Sequence, residues 1–219
     1  MKQAIRKITQ FKIIESFIQT DFVKGFKYVD KAGEIVNSFY NGKTPPRFEM
    51  NLSGLVIVDP DEQTKEIKVS PLAFWAHYLE PDTLDRIASL FEKKLEVIFP
   101  ILSPEGFQRL GWRNYFIYEV NNEAERGEIL AKFLPVTSLE FNEISLNLKI
   151  EQVNSQFSLK KVLKKKDPKA AALLFDTDNF IRYEEPVGID QIKSDLRKIR
   201  ESFSSEKFMG VINTILGKK

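Results

Sequence analysis

Two stretches of this chain carry their apolar residues on one helical stripe, and they constrain the fold more than any other feature. From Glu80 to Ile98, the residues Leu84, Ile87, Ala88, Phe91, Leu95 and Ile98 recur at spacings of 3, 1, 3, 4 and 3. From Ile189 to Phe203, Ile189, Ile192, Leu196, Ile199 and Phe203 recur at 3, 4, 3 and 4. A one-sided helix must bury its stripe against something flat or against another helix. The rest of the chain supplies strands. Aromatic-rich segments predict strands at Gln10–Ile18 and Leu110–Val120. Alternation predicts a hairpin from Phe48 to Tyr78, turned at Asp59-Pro60-Asp61-Glu62 and interrupted by Pro71. Period two also runs through Ile144, Leu146, Leu148 and Ile150, preceded by a phase change at Asn142-Glu143. Further strands are predicted at Phe157–Leu163, after a turn at Asn154-Ser155, and at Ala170–Phe175.

The expected fold class is α+β, an antiparallel sheet packed on helices with a long C-terminal helix. Each half begins with an aromatic-rich strand and ends with its strongest helix. That order suggests two β-α-β-β-(β)-α units, residues 1–102 and 103–219, or one continuous domain of the same content. A sheet wrapped around the C-terminal helix is a variant of the second reading. Pro81 and Asp82 mark the start of the first long helix and Pro100 its end, with Asp190 as the cap of the last. Asn121 or Asn122 caps a short helix reaching Phe133. A phase shift at Ser204-Ser205 separates Phe208, Val211, Ile212 and Ile215 from the preceding stripe. If a flat sheet leaves this second part uncovered, it forms an interface for a partner or a homodimer.

The residue inventory removes several chemistries. The 219 residues contain no Cys and a single His, His77. Thiol chemistry, disulfides and multi-His zinc sites within one chain are therefore absent. There is no glycine-rich phosphate loop, nucleophile elbow or HExxH helix. No cofactor is expected. The 33 basic and 31 acidic side chains leave a net charge of +2, so no global field gathers nucleic acid or anionic lipid. No apolar run approaches the length of a membrane span. Residues 1–9 lack the apolar core of a signal peptide, and the expected location is the cytoplasm.

Four constellations remain. Asp176-Thr177-Asp178 at a strand end, with Glu184 beyond it, is where a metal-dependent nuclease or phosphotransferase holds its ion. Turn chemistry explains the same carboxylates without an ion. Lys160, Lys161, Lys164, Lys165, Lys166 and Lys169 form the densest charge run, a phosphate-binding loop or a solvated tip. His77, within Phe74-Trp75-Ala76-His77-Tyr78, reads as a packed side chain; as a general base it needs an orienting carboxylate. Arg113 shares one strand face with Tyr115, opposite Trp112 and Asn114, and needs a carboxylate or a bound anion.

Gly111-Trp112-Arg113-Asn114-Tyr115, Leu174-Phe175-Asp176-Thr177-Asp178-Asn179-Phe180, and Phe208 with Ile212 and Leu216 carry a resemblance. Together they resemble a sporadically distributed family of uncharacterised prokaryotic proteins. That family has a central Gly-Leu-Arg-Tyr-Asn strand and a Leu-Asp-Ile-Asp strand before a long helix. Here Trp112 and Asn114 stand where the family has Leu and Tyr. The resemblance implies a mobile-element or stress-associated gene, with no catalytic residues to carry over. The leading functional expectation is a non-enzymatic protein- or peptide-binding protein, of a defence or toxin–antitoxin-like system on the resemblance alone. A metal-dependent enzyme using Asp176, Asp178 and Glu184 is one alternative. Nucleic-acid binding through Lys164, Lys165 and Lys166 is the other.

Overall fold

The computed structural model describes residues 11–23, 26–39, 47–61, 64–120, 123–131, 143–163 and 171–215. The chain forms one antiparallel sheet of nine strands with helices against it. In order the elements are β1 (Phe11–Phe22), a 3-10 turn (Phe26–Tyr28), α1 (Ala32–Ser38), β2 (Arg47–Asn51), β3 (Gly54–Val58), β4 (Thr64–Val69) and β5 (Ala73–Leu79). The second series is α2 (Leu84–Leu102), β6 (Phe107–Glu119), α3 (Glu123–Ala131), β7 (Glu143–Ile150), β8 (Val153–Leu163), β9 (Ala171–Val187), α4 (Ile189–Ser204) and α5 (Glu206–Ile215). No described helix is long and apolar enough to cross a membrane.

The spatial order is β2-β3-β4-β5-β1-β6-β9-β8-β7. It reads outward from the central β1–β6 pair in the same way on both sides. From β1 the neighbours are β5, β4 and β3; from β6 they are β9, β8 and β7. Each half therefore lays down a central strand and a helix, then strands that meander back inward, then a long helix. Strand β2 extends the first half by one strand.

Side-chain alternation splits the central strands into two faces. Ser16, Ile18, Thr20 and Phe22 of β1, Leu110, Trp112 and Asn114 of β6, and Phe175, Thr177 and Asn179 of β9 are buried. Both long helices pack on this face. Phe91 of α2 stacks on Phe74 at 5.4 Å, and Phe203 of α4 meets Trp112 edge-on at 5.7 Å. Under α4 some of the buried polar atoms are paired, while Asn114 Nδ2 and Asn179 Oδ1 have no hydrogen-bond partner among the described residues. The Trp112 indole donates to Ser16 Oγ at 2.8 Å and Asn114 Oδ1 at 3.1 Å, and the Asn179 amide donates to Ser202 Oγ at 2.9 Å.

Several local expectations change. α2 runs through Pro100 to Leu102, because a proline in a last turn breaks only one backbone bond, and Ser103 closes it in a left-handed conformation at φ 41°. Thr83, which accepts from the Arg86 amide at 3.2 Å, caps its start. Gly188, not Asp190, holds the cap position of α4; Asp190 lies in the first turn. The turn between β7 and β8 falls at Glu151-Gln152, with Glu151 at φ 56°. Asn154 and Ser155 already belong to β8. Pro71 lies in the tight turn that separates β4 from β5.

The C-terminal helix bends at Ser205. The Ser205 hydroxyl accepts from the Phe208 amide at 3.1 Å and donates to the Ser202 carbonyl at 2.9 Å, so it starts α5 while closing α4. The bend turns the second stripe inward. Phe208 meets Phe203 at 5.9 Å and Phe157 at 6.5 Å. Phe208 is 6% exposed and Ile212 4%. The phase shift read as leaving an apolar patch uncovered instead keeps that patch on the sheet; Val211 is half-buried.

Candidate functional site

The opposite face of the same three strands is chemically different. β1 presents Glu15, Phe17, Gln19 and Asp21. β6 presents Arg109, Gly111, Arg113 and Tyr115. β9 presents Asp176, Asp178 and Phe180. The pairings Phe17↔Arg113, Gln19↔Gly111 and Arg113↔Asp178 bring these rows together at mid-sheet. Here Phe17, Gln19, Arg109, Gly111, Tyr115 and Asp178 join Arg113 around a cavity of about 260 Å³. Neither α2 nor α4 covers this face.

Arg113 has the partner its strand position demanded. Its Nε donates to Asp176 Oδ1 at 2.8 Å and its Nη2 to Oδ2 at 2.7 Å, a fork on a fork reaching diagonally between strands. The guanidinium also lies 5.1 Å over the Tyr115 ring. The Asp176 hydrogen bonds and charge raise the Arg113 pKa further above its ordinary value, against the effect of burial.

Arg109 is held differently. Its nearest carboxylates are Asp178 at 3.6 Å and Asp21 at 4.0 Å, both beyond charged hydrogen-bond length. Its guanidinium lies over Phe180, 5.3 Å from the ring centre. It also lies over Gly111, where a Cβ would stand 2.7–2.8 Å from the guanidinium atoms. Gly111 is the floor that gives this side chain its room. Asp178 is pushed above the ordinary carboxylate range by burial, with Arg109 and Arg113 opposing and Asp176 adding to the rise.

His77, 5% exposed, borders the same face from β5. Its ring stacks on Phe17 at 4.0 Å and stands between Glu15, at 3.5 Å from Nε2, and Glu66, at 3.9 Å from Nδ1. Burial lowers its pKa. Glu15 and Glu66 oppose that shift, and Lys65 reinforces it. The packed reading of His77 matches this setting, and carboxylates do flank it.

The acidic motif is not a strand end. Asp176-Thr177-Asp178 lies in the middle of the 17-residue strand β9, which runs on through Glu184. Asp176 is engaged by Arg113, and Asp178 faces Arg109. Glu184 is exposed and six residues beyond Asp178, about 20 Å along a strand. The three carboxylates cannot close on one ion. No cluster of three or more metal-ligating side chains occurs among the described residues. Lys164, Lys165, Lys166 and Lys169 lie outside the described residues, as do the side chains of Lys160, Lys161 and Ile215.

Sequence reasoning found Arg113, Tyr115 and the two aspartates but not Phe17, Gln19, Arg109 or Gly111 as their companions. One signal was available: Arg109, Gly111, Arg113 and Tyr115 alternate with Leu110, Trp112 and Asn114. The neighbours on β1 and β9 depend on register, which one strand's pattern does not contain. No family model matches the chain, and no curated protein matches it.

Proposed function

We propose that this protein is a non-enzymatic binding protein that takes a peptide segment of another protein across the open face of β1, β6 and β9. The observation supporting this is the cavity at the middle of that face, walled by the aromatic rings of Phe17 and Tyr115 and by two arginines. Aromatic and arginine side chains dominate protein contacts because they combine large area with directed polar groups. Arg109 and Arg113 stand among Glu15, Asp21, Asp176 and Asp178, so both signs of charge are interspersed there, which suits recognition better than a diffuse field does. Against the metal-enzyme alternative stand the occupied oxygens of Asp176 and the distance to Glu184. On the family resemblance alone, the partner belongs to a defence or toxin–antitoxin-like system.

The test is selection of peptides from a random display library on the immobilised protein. Enriched peptides are then titrated against the wild type and Tyr115→Ala. The reading predicts loss of binding in the variant, with amide shifts confined to β1, β6 and β9. Enriched peptides that bind Tyr115→Ala with unchanged affinity overturn it.

A second contact surface has its own observation. β2 pairs only with β3 among the described strands, and its five residues are all exposed. Phe48, Met50 and the neighbouring Leu52, 96% exposed, give that edge an apolar character. Natural edges usually avoid this. We propose this edge, rather than Phe208 and Ile212, as the surface for self-association. Light scattering of the wild type and Phe48→Lys tests it; a monomer in both overturns it.

A further inference from the structure

The open-face reading leaves one question that the geometry answers: which group of the bound segment enters the cavity. Arg109 is the unusual side chain there. A guanidinium carries five N–H donors, and a part-buried one ordinarily spends them on hydrogen bonds. The Arg109 side chain is 21% exposed and makes two ion pairs, neither shorter than 3.6 Å. Arg113, two residues away on the same face, is by contrast fully forked onto Asp176.

Three features hold Arg109 in this state. Phe180 supports the guanidinium from one side. Gly111 offers no Cβ, so the guanidinium lies flat against the β6 backbone. Gln19 donates to Asp21 Oδ1 at 2.5 Å and so fixes the carboxylate whose other oxygen stands 4.0 Å from Arg109. The aspartates thus balance the charge of Arg109 without occupying its donors. Phe17 and Tyr115, ring centres 6.1 Å apart and edge to face, form the apolar side of the cavity.

We infer that Arg109 is the anchor of the peptide site and takes the carboxylate of a glutamate side chain in the bound segment, with an adjacent aromatic residue against Phe17 and Tyr115. This rests on the open-face reading above and names its specificity. A carboxylate matches the planar fork of a guanidinium, whereas an amide of the same shape offers one acceptor and an unwanted donor. Gly111 is a positioning residue: it touches no ligand but sets where the guanidinium lies. An incoming carboxylate meets Asp178 and Asp21 as well. The groups facing Asp178 are Arg109 and Arg113 from β6, Asp176 along β9 and the uncharged Gln156 opposite it on β8. Asp178 and Asp21 both stand 3.6 Å or more from the guanidinium, so neither occupies the donors that the incoming carboxylate takes.

The experiment uses three blocked dipeptides as probes: N-acetyl-Phe-Glu-amide, N-acetyl-Phe-Gln-amide and N-acetyl-Phe-Lys-amide. Each is titrated into the full chain while the Arg109 Nε–H and the Gly111 amide are followed by NMR. The glutamate probe is expected to shift both signals saturably, and to bind at least about tenfold more tightly than the glutamine probe, the worth of a charge-assisted hydrogen bond. Arg109→Lys, which keeps the charge and loses the fork, removes that preference. Gly111→Ala displaces the guanidinium and removes it as well, and Arg109→Lys alone decides if Gly111→Ala fails to fold. Equal binding of the glutamine probe, tighter binding of the lysine probe, or a glutamate preference that survives Arg109→Lys overturns the inference. If library-selected peptides lose affinity on Tyr115→Ala but ignore Arg109→Lys, the anchor is wrong and the open-face reading stands. If neither dipeptides nor selected peptides touch this face, both fall.

Discussion

The two faces of β1, β6 and β9 come from the same residues taken alternately, yet they solve different problems. On the helix face, Ile18, Leu110 and Trp112 are wholly buried, and the Trp112 indole and the Asn179 amide donate to Ser16 and Ser202 hydroxyls. On the open face, arginines, aspartates and aromatic rings hold one another in pairs around a cavity. The helix face depends on apolar area, which is non-directional and tolerant of exchange. The open face depends on directed contacts between charges, which are specific and individually small. The binding proposal rests on that difference within single strands.

The sharpest way to break the comparison is on the helix face. Phe91→Ala removes a fully buried ring that stacks on Phe74. The expected loss is about 3–5 kcal/mol, against less than about 1.5 kcal/mol for Phe91→Leu, which keeps most of the volume. Urea midpoints at constant slope measure both. Equal losses would mean that packing on this face is far less fluid than area alone requires.

On the open face the two aspartates should separate. Asp176→Asn takes away a buried acceptor that holds both prongs of Arg113, and the expected cost is roughly 1–3 kcal/mol. Asp178→Asn removes a carboxylate whose nearest guanidinium is beyond hydrogen-bond length, and the expected cost is under about 1 kcal/mol. The contrast between positions two residues apart matters more than either value. Equal costs would show that Arg109 is as firmly paired as Arg113.

These contrasts explain what the sequence made legible. The stripes of α2 and α4 were readable because Leu84–Ile98 and Ile189–Phe203 repeat over four turns, and a one-sided helix has one way to be buried. The faces of β6 were readable from Arg113, Tyr115, Trp112 and Asn114 for the same reason. The partner of Arg113 was readable only as a chemical type. That it is Asp176, reached diagonally, follows from a register set by whole strands. Asp176-Thr177-Asp178 looked like a turn because aspartate usually leaves strand centres. Here the arginines of β6 compensate it, and β9 continues. Asn154-Ser155 misled in the same direction: its residues favour turns, but Glu151 three positions earlier takes the left-handed conformation. The phase shift at Ser204-Ser205 marked where the C-terminal helix breaks, but not that Ser205 turns Phe208 and Ile212 toward the sheet, so an interface there stayed open in the sequence.

A smaller effect sits at the border of the open face. His77 titrates below its ordinary value of 6.5 in the folded protein. The unfolded chain then binds more protons than the native one between that lowered value and about 6.5, so stability falls as pH drops through this window. The slope cannot exceed about 1.4 kcal/mol per pH unit. His77→Gln is expected to flatten the profile there and leave it unchanged above pH 7. A stability that rises on acidification would mean that Glu15 and Glu66 outweigh burial and hold the imidazolium.

The smallest expected effect is none at all, and it separates the binding reading from the metal alternative. A divalent ion that binds only the folded chain, present at a hundredfold over its Kd, stabilises by about 2.7 kcal/mol. In a chain of this size that raises the melting temperature by about 5–10 °C. Asp176 has its oxygens committed to Arg113, Asp178 faces a second guanidinium, and Glu184 lies about 20 Å away along β9. An ion at Asp178 would displace or face two fixed positive charges. Manganese at millimolar concentration should therefore shift the melting temperature by less than about 1 °C, a value far below the linkage figure. A rise of several degrees that disappears in Asp178→Asn would put an ion on the open face. The arginines would then be its counter-charges on a substrate, and the contrast between the two faces would be one between core and active site.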